Sequence, residues 1–114
     1  MDALPVTRRM VDPVIVLREA ATSDAYGNTE GAAAELMRLR GSLEEFTGSE
    51  RLAAGALEAE RTASLLIYAN DDTRGIRASD TVEARGARWN VRSVGQSPRS
   101  PRLLELVLAT GVAT

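Results

Sequence analysis

TVEARGARWNVRSVG, running from Thr81 to Gly95, reads as a β-hairpin. Val82 and Ala84 alternate with polar neighbours, Arg85-Gly86 turns the chain, and Trp89 and Val91 resume the alternation. Period-two patterning around a glycine-containing turn is a short-range hairpin signal, although Arg-Gly is a weaker turn pair than Asn-Gly. Trp89 is the one tryptophan in a chain with two tyrosines and one phenylalanine. An indole buries more area than any other side chain here, so Trp89 is the expected core anchor.

Strands are expected on both sides of this hairpin. Ala63–Asn70 places Ala63, Leu65 and Ile67 on one face, and Leu103–Ala109 does the same with Leu104, Leu106 and Leu108. Between the hairpin and the last strand, QSPRSPR (Gln96–Arg102) carries two Ser-Pro steps and cannot continue a central strand. Upstream, Val11–Glu19 is apolar on both faces over Val14–Leu17, with Pro13 suited to a strand start or an edge. Met37–Phe46 alternates Met37, Leu39, Gly41 and Leu43 against Arg38, Arg40, Ser42 and Glu44. Thr47-Gly48-Ser49-Glu50 has the form of a capping box. Leu52, Ala53, Ala56 and Leu57 recur behind it at helical spacing, which predicts a helix over 49–61.

The stretch from Ala20 to Leu36 breaks the strand pattern with Ser23, Asp24, Gly27, Asn28 and Gly31, and reads as a long loop with room for a helical turn over Ala32–Leu36. Connections of that length are uncommon in compact domains and tend to be functional or disordered. Residues 1–10 lack periodicity and read as a mobile arm. The whole predicts a mainly β (α+β) domain over 11–111, a small barrel or folded antiparallel sheet of six strands with one packed helix.

At 114 residues the chain suits one domain with one core. No apolar run is long enough to cross a bilayer, and the N-terminus lacks a basic-then-apolar leader, so cytosolic synthesis is expected. Histidine, cysteine and lysine are absent, and all 14 basic residues are arginine. The usual near-neutral base, the soft metal ligands and the thiolate and Schiff-base nucleophiles are therefore missing. That argues against an enzyme, and no cofactor or metal is expected. The adjacent carboxylates Glu44-Glu45 would point to opposite faces of a strand, and Asn70-Asp71-Asp72 reads as a solvated turn rather than a cation site. No phosphate-binding glycine loop occurs.

Charge is unevenly distributed although the net is only −2. Glu19 to Glu60 holds nine acidic residues against three arginines; Arg74 to Arg102 holds seven arginines against Asp80 and Glu83. Two such regions suit different or self-complementary partners. Arg85, Arg88, Arg92, Arg99 and Arg102 are the candidates for a subunit contact. They are also able to meet phosphates, but Trp89 is the lone interleaved aromatic and the core needs it, so base stacking is poorly supported.

A strand, the D-x-x-G step Asp24–Gly27, a strand ending near Phe46, the expected helix, SLLIYAND, VEARGARWNVRSV and a final RLLELVLATG follow one another in that order. This order resembles the head-tail joining family, the head-completion or stopper proteins of long-tailed phages and gene transfer agents. The likeness spans Val11 to Gly111 and rests on diffuse motifs such as G-x-x-W-x-V at Gly86, Trp89 and Val91. Where many members carry an aromatic between Asp24 and Met37, this chain has alanines beside Tyr26.

The resemblance implies a β-barrel-like subunit of a six- or twelve-fold ring at the head-tail junction of a virion or virus-like particle. A portal or adaptor would sit on the head side and a tail terminator or tail tube on the tail side. Packaged double-stranded DNA would pass through without sequence-specific contact, and no membrane is involved. It also implies a channel or gate loop, here Ser23, Asp24, Tyr26, Gly27, Asn28 and Glu30. A tail-completion or adaptor ring of the same particle, or a small nucleic-acid-binding barrel using Tyr26, Tyr68 or Phe46, are the alternatives.

Overall fold

Six antiparallel strands close into a barrel in the order β1-β2-β3-β6-β5-β4. The computed structural model describes residues 9–19, 33–46 and 61–110. The strands are β1 (Asp12–Glu19), β2 (Ala33–Glu45), β3 (Thr62–Tyr68), β4 (Thr81–Ala84), β5 (Ala87–Gln96) and β6 (Leu103–Ala109). The small barrel expected from the alternating pattern is present. The predicted helix lies outside the described residues except for Arg61, whose N–H donates to Thr110 Oγ1 on the way into β3.

Two strands serve both halves of the barrel. β2 pairs with β1 as far as Gly41 and with β3 from Ser42 onward. β5 likewise pairs with β4 as far as Asn90 and with β6 from Asn90 onward, with a register shift between Val91 and Ser93. Strands that change layers need a bend, a bulge or a glycine at the corner. Gly41 is that corner in β2. A Cβ there would sit 2.8 Å from both Leu65 Cδ1 and the Leu66 carbonyl oxygen. The backbone oxygen cannot swing aside as a side-chain tip does. Gly41→Ala is therefore expected to cost about 2 kcal/mol by overpacking, read as a lower denaturant midpoint with an unchanged slope.

The inward rows are apolar, as period two demands. Val14, Val16, Leu43, Leu65, Ile67, Val82, Leu106 and Leu108 surround Trp89, which is 0% exposed. The indole N–H donates to the Ala84 carbonyl at 3.1 Å, so burial leaves no orphaned donor. The Arg85-Gly86 turn has φ of 50° and 71°. Positive φ at both positions is what a two-residue hairpin twisted to match its strands requires, and Gly86 meets it without a Cβ.

The long first loop ends earlier than its sequence suggests. Ala33–Leu36 is not helical or looped but extended, pairing with Leu17, Arg18 and Glu19. Ladder hydrogen bonds to β1 override the helical preference of alanine. Met37 faces Val16 and Glu35 faces Leu17, so Leu36 is the unpaired residue of a bulge.

Only three residue pairs join β1 to β4: Ile15 with Glu83, Val16 with Val82, and Leu17 with Thr81. An ion pair stands at each end of this short seam. At one end Arg18 makes two 2.8 Å bonds to the Asp80 carboxylate, Nε to Oδ1 and a terminal nitrogen to Oδ2. At the other, Arg85 Nε lies 3.1 Å from Asp12 Oδ1. Asp80 also accepts the Arg77 N–H, and Asp12 the Leu43 N–H, both through Oδ2. Burial alone would raise the Asp80 carboxyl; the bonds from Arg18 and Arg77 outweigh it and hold it below its usual range. The same opposition, with Arg85 and Leu43 as donors, lowers Asp12.

Candidate functional site

The outer face of β2, β1, β4 and β5 forms an open groove of about 950 Å³. The strand registers build it. Arg38 lies opposite Ile15, Ile15 opposite Glu83, and Glu83 opposite Arg88, so one row crosses four strands. Arg40 opposite Pro13 begins the next row, and Arg85 closes the groove at the hairpin turn. Adjacent strands lie about 4.8 Å apart, so the backbones beneath Arg38 and Arg88 are separated by about 14 Å. The groove thus has two basic rims, with Pro13 and Ile15 as an apolar strip along β1 and Glu83 between that strip and Arg88.

The four arginines differ in how they are held. Arg38 Nε donates to both oxygens of Glu35 at 2.9 Å. A terminal nitrogen of Arg40 donates to the Val11 carbonyl at 3.1 Å. Arg85 belongs to the Asp12 pair described above. Arg88 has no ion pair among the described residues and is exposed. Exposed pairs such as Arg38–Glu35 add little stability, so these guanidinium groups retain charge for an incoming anion at small cost. Among the described residues, Glu83 is the one acidic side chain lining the groove.

Of the five arginines singled out by sequence, Arg85 and Arg88 share this groove. Arg92 is exposed in β5 where its register with β6 shifts, on the half of the strand that pairs with β6. Arg99 and Arg102 lie exposed in the loop between β5 and β6. β5 spans ten residues, or about 30 Å at the usual rise per residue. The charge run is therefore spread along the barrel and does not form a single patch.

Arg38 and Arg40, absent from the sequence candidates, complete the site instead. Their signal was the polar half of the β2 alternation, but nothing local indicates that they face a hairpin more than forty residues away. Arg18 and Asp80 were likewise invisible as a pair. The gate-loop candidates Ser23, Asp24, Tyr26, Gly27, Asn28 and Glu30 lie outside the described residues. Among described residues no group of three or more carboxylates has metal-binding geometry, and no helix is long and apolar enough to cross a membrane.

Among the described residues, no aromatic side chain lines the groove. Tyr68, 58% exposed, stands at the end of β3, a strand that belongs to the other half of the barrel. The arrangement can hold carboxylates or phosphates along two rims and an aliphatic surface between them. The described residues of the groove do not form the stacking platform that single-strand binders use.

No protein-family model matches the chain, and no curated protein does. Among solved structures it is similar to protein SF1141 from Shigella flexneri 2a, determined in solution. That likeness covers 97% of this chain and 100% of the other, with a TM-score of 0.75 and 17% identity. At this level of identity the two share a fold.

Proposed function

We propose that this chain is a structural subunit of a head-tail connector, of the stopper or head-completion kind. It forms a ring between the portal or adaptor and the tail, extends the DNA channel and retains packaged DNA. The observation that carries this reading is the closed antiparallel barrel from Asp12 to Ala109, the architecture implied by the resemblance in strand order. Two further features support it. A groove with basic rims suits a heterologous contact, in which different surfaces of identical subunits meet and the rotation closes a ring. The β1–β2 pairing also continues past the three-pair seam with β4, through Arg18 and Glu19 opposite Ala34 and Ala33.

Deleting the gene is expected to give separated tails alongside heads that have lost their DNA, seen by electron microscopy. Normal tailed particles from the deletion strain would overturn the connector reading. Complementation with a variant lacking residues 24–31 then tests the gate. The expected outcome is assembled junctions that leak DNA, whereas failure to assemble would make the segment structural.

A further inference from the structure

The groove has basic rims and an apolar strip, which together specify more than a generic anion. A polyanion such as DNA needs the rims but has no use for Pro13 and Ile15. It would also meet a chain whose net charge is −2 and whose sequence pI is about 5.2. An occupant that uses both features has carboxylates flanking aliphatic side chains. This chain carries such a stretch itself. Glu44 and Glu45 belong to β2, where Arg61 already holds Glu45, but beyond them Glu50, Glu58 and Glu60, against Arg51, flank Leu52, Ala53, Ala56 and Leu57.

We propose that the groove over β2, β1, β4 and β5 is the docking site for the Glu50–Glu60 stretch of a second copy of this chain. The contact is head-to-tail: the acidic stretch of one copy enters the groove of the next, leaving its own groove open for a third. Opposite-charge complementarity favours the encounter, and the aliphatic strip adds burial that a purely ionic contact lacks. Arg88, exposed and without an ion pair among described residues, is the rim group most available to a new carboxylate. This deepens the ring reading by naming the two surfaces that meet, and it is tested without any particle.

The absence of lysine supplies the experiment. A zero-length carbodiimide joins a carboxylate to an amine, and the wild-type chain offers only its α-amino group. Arg88→Lys and, separately, Arg40→Lys each place one new amine on a rim while preserving charge. Equal amounts of ¹⁴N- and ¹⁵N-labelled protein are mixed at high concentration, cross-linked and digested.

The expected result is mixed-isotope peptides linking Lys at 88 or 40 to glutamates between 50 and 60, several-fold above the wild-type background. They should diminish as salt rises. Links confined to one isotope would place the stretch in its own groove and overturn the proposal. An absence of links from both variants would do the same, as would loss of DNA-duplex binding in Arg88→Ala where no self-link forms. None of these results alters the outcome of the gene deletion, so this docking and the connector reading can fail separately.

Discussion

Trp89→Ala is expected to cost about 3–5 kcal/mol, the range for truncating a fully buried aromatic. Domains of this size are commonly stable by only about 5–15 kcal/mol, so the variant should be barely folded. Three losses combine. The indole is 0% exposed at the centre of the cluster, and its removal leaves a void between Val82, Val91 and the leucines of β6. The Ala84 carbonyl loses its donor. The Arg61 guanidinium, 5.0 Å from the ring centroid, loses the π face beneath it. Because the variant has no tryptophan, the transition is followed by far-ultraviolet circular dichroism. A loss below about 1 kcal/mol would show that the core can repack around alanine. Trp89→Phe removes the hydrogen bond together with part of the indole volume and should cost about 1–2 kcal/mol.

Asp80→Ala is the second large effect, at about 3 kcal/mol near neutral pH. The carboxylate is 1% exposed and anchors Arg18 and the Arg77 N–H together. Removing it leaves a partly buried guanidinium and an amide without their acceptor. Its pH dependence has a definite sign. The folded-state pKa values of Asp80 and Asp12 lie below the ordinary value. Their contribution is thus fully present above the unfolded carboxylate pKa of about 3.9 and is lost as pH falls through the folded values. Urea melts should therefore show wild type weakening below about pH 4, and the gap to Asp80→Ala narrowing there. A gap that stayed constant down to pH 2 would mean that the Arg18–Asp80 pair is not what Asp80 contributes.

The strands were legible because their information is local. Alternation in Met37–Leu43, Ala63–Ile67 and Leu104–Leu108 identifies an inward face whatever the partner strand, and Arg85-Gly86 fixes the hairpin register. Ala33–Leu36 was misread because alanine carries no period-two signal; its conformation is set by pairing with β1. The groove was half legible. Arg85 and Arg88 stand near one turn, but Arg38 and Arg40 join them only through the registers of β2 with β1 and β1 with β4. A charge count along the chain cannot see that a ten-residue extended strand, β5, separates Arg85 from Arg99.

The brevity of the β1–β4 seam reaches beyond stability. Parting three residue pairs and two ion pairs would turn the barrel into a curved sheet with two unsatisfied edges, one on β1 and one on β4. Each edge already has its complement in the same chain, so two opened copies can satisfy each other by strand exchange, β1 of one against β4 of the other. Acid disarms both ion pairs together, so brief acid exposure followed by neutralisation at high concentration is the treatment that would trap such an exchanged dimer. The seam that closes the monomer is then also the hinge through which copies become entangled.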